Sequence, residues 1–206
     1  MNTFTFDTET TGIPIKLNDQ DTDYKLTDYY NEARMIQIAW CVTDVKDTIV
    51  KKENHFIKPK DKDGKLIKIM NSHIHGITDD ICEIKGIDIK DILPKLLQDL
   101  KGIRLIIGHN VIFDLNILKS ELCRIKDETL VNDCQKIISE LNRIENFDTM
   151  RMASIIYKFY KWPKLTELHK FLIGSEFDGA HDAMNDVIAA QRCFLKMTFG
   201  TDLRIE

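Results

Sequence analysis

The chain opens on an alternation of polar and apolar positions, Thr3-Phe4-Thr5-Phe6, rich in β-branched and aromatic residues. That period of two predicts a strand ending near Asp7. The run Thr10-Thr11-Gly12-Ile13-Pro14 breaks it. Residues 15–33 are polar and acidic, carry Tyr24, Tyr29 and Tyr30, and show no period, so a long loop or small subdomain is expected there. An apolar run at 34–43 predicts a second strand, with residues 48–57 as its partner across a turn at Asp44–Asp47. Lys58-Pro59 then starts a charged loop with a turn at Asp63-Gly64. The first half is thus a three-stranded meander.

Helical spacing takes over in the second half. Thr78, followed by Asp79 and Asp80, has the form of an N-cap with acids placed for the helix dipole. A helix is expected over about 91–101, then a short interior strand at 103–107. Gly108-His109-Asn110 forms a loop into a helix over 111–123. Leu130, Cys134, Ile137, Ile138, Leu141 and Ile144 share one face, which makes 128–144 amphipathic. Further helices are expected near 149–160, 165–173 and 182–197, punctuated by Pro163 and Gly174. Strands first and helices later, with one late strand inserted, make an α/β or α+β domain.

At 206 residues the chain suits a single core. With 43% hydrophobic and 30% charged residues it is an ordinary globular composition, which argues against disorder. No stretch approaches the roughly 20 apolar residues of a membrane span. Asp7 and Glu9 interrupt any secretory leader almost at once, so an intracellular protein is expected. The five cysteines, Cys41, Cys82, Cys123, Cys134 and Cys193, are scattered and contain no C-x-x-C pair. Reduced, mostly buried thiols are expected rather than disulfides or a zinc site. A net charge of −4 tells against a protein that coats long duplex. It suits an enzyme that holds a few terminal nucleotides while bound cations neutralise phosphate locally.

The acidic residues carry the chemistry. Two divalent cations roughly 4 Å apart can activate water and neutralise both oxygens of a phosphodiester displacement. Hard cations such as Mg²⁺ and Mn²⁺ prefer carboxylate oxygens for this. Asp7 and Glu9, two apart on a strand, point to one face. Asp114 lies in the expected first turn of the helix after an interior strand, where the dipole favours an anion. Asp186 shares a helical stripe with Ala183, Val187 and Ala190, a costly place for an acid that is neither paired nor bound to metal. His181 precedes that helix on a glycine-containing loop and is a candidate general base.

In order, Asp7-Thr-Glu-Thr-Thr-Gly12, His109-Asn-x-x-Phe-Asp114 and His181-x₄-Asp186 resemble the three motifs of the DEDDh (DnaQ-like) 3′–5′ exonucleases. His75-Gly-Ile-Thr78, Asp148-Thr149 and Leu165-x-x-Leu168 agree, and the resemblance runs from about residue 3 to 195. The family includes proofreading exonucleases, oligoribonuclease and ribonuclease T. It implies an α/β ribonuclease H-like fold, a mixed five-stranded sheet with its first three strands antiparallel, flanked by helices. It also implies a two-metal enzyme, using Mg²⁺ or Mn²⁺, that removes nucleoside 5′-monophosphates from the 3′ ends of single-stranded DNA or RNA.

By the same likeness, Asp7, Glu9 and Asp186 hold one metal, and Asp7 bridges to a second that Asp114 helps position. His181 deprotonates the attacking water, which requires a neutral imidazole. Backbone at Thr10 and Thr11 meets the terminal 3′-hydroxyl, Ile13 presses on the last base, and His109, Asn110 and Phe113 line the nucleotide pocket.

Against a compact member, residues 14–33 and 126–146 read as insertions, the first beside the site and the second away from it. His73-x-His75 is taken as a turn rather than a metal pair. The lysines among Tyr157, Phe159, Tyr160 and Trp162 are taken as a solvated helix end. Two alternatives stand beside a free-standing exonuclease: a proofreading subunit partnered by a DNA polymerase, and an inactive nucleic-acid-binding module. The chain ends about 20 residues after Asp186, which counts against the polymerase subunit, and the full set of catalytic side chains counts against the inactive module.

Overall fold

The computed structural model describes residues 2–17, 22–61 and 63–204. Three antiparallel strands open it: β1 (Thr3–Thr10), β2 (Met35–Thr43) and β3 (Ile49–Phe56). Two short helices follow, α1 (Ser72–His75) and α2 (Asp79–Lys85), the latter capped by the Thr78 side chain. A 3-10 turn at Ile89–Ile92 leads into α3 (Leu93–Asp99). After β4 (Leu105–Gly108) come the long helices α4 (Val111–Arg124) and α5 (Glu128–Arg143). Strand β5 (Glu145–Asp148) runs into α6 (Thr149–Tyr157), then α7 (Leu165–Ile173) and α8 (Ala183–Phe199).

The sheet order is β3-β2-β1-β4-β5. Strands β4 and β5 join β1 in parallel, so β1 has an antiparallel neighbour on one side and a parallel one on the other. This is the five-stranded ribonuclease H-like sheet expected from the motifs. The carboxyl ends of β1, β4 and β5 converge on one edge, where open α/β sheets place their ligand sites.

Strand β2 is buried along its whole length and divides its side chains between two layers. Ile38, Trp40 and Val42 face the larger core with Phe4, Phe6, Leu96, Leu118, Ile137 and Leu141, which α3, α4 and α5 cover. Ala39 and Cys41 face the other side and, being small, let α8 approach through Ala183 and Val187. Cross-strand partners share a face, and Asp7 pairs with Ala39. Asp7 therefore points to the α8 side.

Three expectations need correction. The first strand continues past Asp7 through Glu9 to Thr10, with a register shift at Glu9/Thr10. The helix expected over 149–160 stops at Tyr157, because Lys158 adopts a left-handed conformation with φ of 54°. Residue patterns marked one late strand, whereas there are two, β4 and β5. The pair His73 and His75 lies in the short α1.

The segment after β1 is mostly irregular, with a 3-10 turn at Thr27–Tyr30 and a buried Tyr30. Residues 18–21 of it lie outside the described residues. Helix α5 packs on α3 and α4. All five cysteines are free, and four are buried. Among the described residues, no helix is long and apolar enough to cross a membrane.

Candidate active site

Asp7 and Glu9 reach one side of β1 through the strand period, and Thr8 between them reaches the other. There the Thr8 backbone N–H and hydroxyl both donate to Asp114 Oδ1, at 3.0 and 2.7 Å. Asp114 sits in the first turn of α4 and is 3% exposed. Its bond to Thr8 draws the start of α4 onto the strand that carries the other two acids.

Asp186 comes from the first turn of α8. Its Oδ2 accepts the His181 backbone N–H at 3.2 Å, while its Oδ1 is buried and has no hydrogen-bond partner among the described residues. The start of α8 is fixed twice. Asp182 caps it, accepting from Met184 and Asn185 N–H at 3.1 and 3.3 Å. Buried Gln37, opposite Glu9 on β2, donates to Asp182 Oδ2 at 3.3 Å and accepts from Ala183 N–H at 3.4 Å. The preceding loop turns through Gly179 (φ 70°), where a Cβ would strike the Asn185 side chain. His181 also has positive φ, 69°, and an exposed side chain.

Ligand atoms of Glu9, His181 and Asp186 all lie within 4.8 Å of one another. These three residues, Asp7 and Asp114 line one cavity of about 500 Å³, whose far wall is Trp162–Thr166.

The exonuclease family (RNase T) matches this chain over residues 4–194. The chain belongs to that family. No curated protein sequence matches it. Among solved structures, E. coli exonuclease I in complex with single-stranded DNA is similar at 19% identity and a TM-score of 0.62, covering 97% of this chain and 41% of that one. Exonuclease I from Methylocaldum szegediense gives 18%, 0.62, 97% and 41%. A 3′-exonuclease that recognises the histone mRNA stem-loop gives 17%, 0.58, 99% and 66%. These likenesses show the fold, and this chain spans about two-fifths of the exonuclease I chains.

The acids of this member of the exonuclease family are held together against their charge. Burial raises Asp7 well above the usual carboxylate range, and Asp114, Asp186, Glu9 and Asp182 push it further. Burial, then Asp186, Asp114 and Asp182, push Glu9 up to about 8. Asp114 rises to about 7 through burial, although the two bonds from Thr8 pull it down. Asp186 rises to about 6 through burial, against the His181 N–H. Carboxylates so placed keep their charge at neutral pH when a cation neutralises them.

Of the residues expected at the nucleotide, His109, Asn110 and Phe113 line the cavity of the acids. Ile13, 75% exposed, is absent from the acidic cavity but lines an adjoining chamber together with Asn110 and Phe113. His109 has both ring nitrogens engaged, Nδ1 with Thr149 Oγ1 at 3.0 Å and Nε2 with the Pro163 carbonyl at 2.9 Å. It pins the Trp162–Thr166 wall. The Thr10 hydroxyl donates to the Gly12 carbonyl at 2.6 Å and that of Thr11 to the Glu32 carbonyl at 2.8 Å. Neither hydroxyl is free, so a ligand at this loop would meet backbone. Thr8 and Gln37 were not among the sequence candidates. Thr8 had a signal: a polar residue between two acids on a strand points into the core and needs a partner there.

Proposed function

We propose that this exonuclease works from the 3′ end by the DEDDh arrangement, releasing nucleoside 5′-monophosphates from single-stranded DNA or RNA. One observation carries the reading. Four carboxylates line one cavity, one of them with an unpartnered buried oxygen, and every contribution to Asp7 and Glu9 raises them. An all-oxygen, like-charged donor set of this kind fits two hard divalent cations, Mg²⁺ or Mn²⁺. Asp7, Glu9 and Asp186 would hold one, and Asp7 with Asp114 the other. When bound, such ions supply a nucleophile at neutral pH and neutralise the attacking and leaving oxygens.

The chain's own side chains do the rest. His181, beside Glu9 and Asp186, takes the proton from the attacking water at a ring nitrogen. Its backbone bond to Asp186 ties the base to the metal ligand it serves. Backbone at Thr10 and Thr11 receives the 3′-hydroxyl. Ile13 and Phe113 flank the terminal base, Asn110 lies beside them, and His109 acts by holding the opposite wall in place. The similar structures are described with single-stranded DNA in one case and an mRNA stem-loop in another, and the proposal takes in both sugars.

The test uses 5′-labelled single-stranded DNA and RNA with Mg²⁺, Mn²⁺ or EDTA. The expected result is a ladder shortening from the 3′ end with either metal and none in EDTA. Asp7→Ala and Asp186→Ala should abolish it, and His181→Ala should slow it by roughly 10²–10⁴-fold. A labelled mononucleotide as first product reverses the polarity, and no release with either metal ends the enzymatic reading.

A further inference from the structure

The chamber adjoining the acidic cavity has a volume of about 610 Å³ and shares the walls Asn110, Phe113, Met150 and Trp162 with it. Its outer side is built by the segment after β1, through Ile13, Pro14, Thr22 and Tyr30. That side is anchored. Tyr30 donates its hydroxyl to the Thr22 carbonyl at 2.5 Å, and Thr22 donates to the Ile15 carbonyl at 2.5 Å. The ammonium of Lys119, on α4, lies 5.3 Å from the centroid of the Tyr24 ring.

The remaining lining sets Phe113, Met150 and Trp162 beside the polar Lys16, Asn110 and Arg151. Trp162 is 60% exposed, and Arg151 lies 5.7 Å from its ring centroid. Asn116 enters this lining from α4, one turn beyond Phe113. Among the described residues its side-chain amide makes no hydrogen bond, although the residue is half-buried. Open to solvent in a largely apolar chamber, that amide is available to a ligand as both donor and acceptor.

We propose that Asn116 reads the edge of the 3′-terminal base, making an intact base a requirement without selecting which base. The inference rests on the 3′-end reading above. A primary amide offers one donor and one acceptor side by side, in either orientation. Adenine, cytosine, guanine and thymine each present an adjacent donor and acceptor on the pairing edge, so one amide serves all of them by rotation. Aromatic and apolar walls hold the base by its faces, which every base has. A base whose edge is bound to Asn116 cannot pair with a second strand, so the terminal nucleotide must be unpaired. Substituting Asp leaves two acceptors, and guanine, with its N1–H and N2–H side by side, is the base that matches them.

Product binding tests this without turnover. Trp40 is fully buried, so quenching by a ligand in the chamber reports on Trp162. Titrations with Mg²⁺ use the four deoxynucleoside 5′-monophosphates and, as the baseless control, deoxyribose 5-phosphate read by competition. The four nucleotides should bind within about threefold of one another and about tenfold or more tighter than the control. Asn116→Leu should reduce that margin by about fivefold or more, and Asn116→Asp should favour dGMP over dTMP by about fivefold. Equal binding of nucleotides and control overturns the inference. So do Leu and Asp variants that fold and bind the four nucleotides as the parent does. Because no hydrolysis is read, a failure here is separate from a failure of the cleavage assay.

Discussion

Thr8 gives both of its donors to one oxygen of Asp114, which leaves the second carboxylate oxygen for a ligand. These bonds oppose a burial that still holds Asp114 near 7. Removing the hydroxyl in Thr8→Val keeps the side-chain shape, drives Asp114 further up and leaves less of it charged at neutral pH. The concentration of Mg²⁺ giving half-maximal nuclease rate should rise about tenfold, in keeping with other losses behind a metal ligand. Raising the pH should recover part of the loss. An unchanged Mg²⁺ dependence would show that Thr8 does not tune the site. The acids were legible in the sequence through the order of their three motifs and the cost of Asp186 on an apolar helical stripe, whereas Asp7-x-Glu9 and Asp114 are weak signals singly. Gln37 and Asn116 were not legible, since an uncharged amide acquires meaning from what faces it, and sequence spacing does not supply that.

At the scale of elements, β3 and α5 were readable because each buries one face at its own period, and β2 because both its faces are buried in one nearly unbroken apolar run. Strand β5 was not. Its residues, Glu145-Asn146-Phe147-Asp148, hold no apolar run, and pairing with β4 makes them a strand. The end of α6 was misjudged for a related reason: Phe159, just beyond it, packs back on Tyr157 and on Phe171 across the turn rather than along a continuing helix. A further contact between elements fixes the loop after β1. Arg34 binds Glu121 of α4 through two bonds of 2.6 and 2.8 Å, both side chains buried, and donates to the Lys60 carbonyl. Its backbone exchanges bonds with Thr11, each 2.9 Å. Arg34→Met strands the Glu121 charge and should cost about 3–5 kcal/mol. For a chain of this size that lowers the melting temperature by roughly 10 °C. The double change Arg34→Met with Glu121→Leu should restore most of the loss. If the double variant melts as low as the single one, the stranded charge is not the cause.

Across the whole molecule the site joins residues far apart in the chain, Asp7 and Glu9 on the opening strand and Asp186 on the last helix, so the acids meet only when folding is complete. Without cations, folding gathers carboxylates whose folded values rise to about 8, 7 and 6 at Glu9, Asp114 and Asp186, from 4.5, 3.8 and 3.8. The folded chain then binds protons that the unfolded chain has already released. Stability from these groups is fully present below about pH 4 and is lost as pH rises through the folded values toward 8. Bound Mg²⁺ replaces those protons and acts on the folded state alone, adding about 2.7 kcal/mol at a hundredfold excess over Kd. Melting curves in EDTA should therefore fall between about pH 5 and 8, with Mg²⁺ restoring roughly 5–10 °C at the upper end. Asp186→Asn, which removes one charge from the cluster, should melt higher than the parent in EDTA at about pH 8 and respond less to Mg²⁺. Parallel curves with and without Mg²⁺ would mean that the acids bind no cation in the folded protein. A parent and Asp186→Asn that melt together in EDTA would mean that their repulsion is already relieved within the chain.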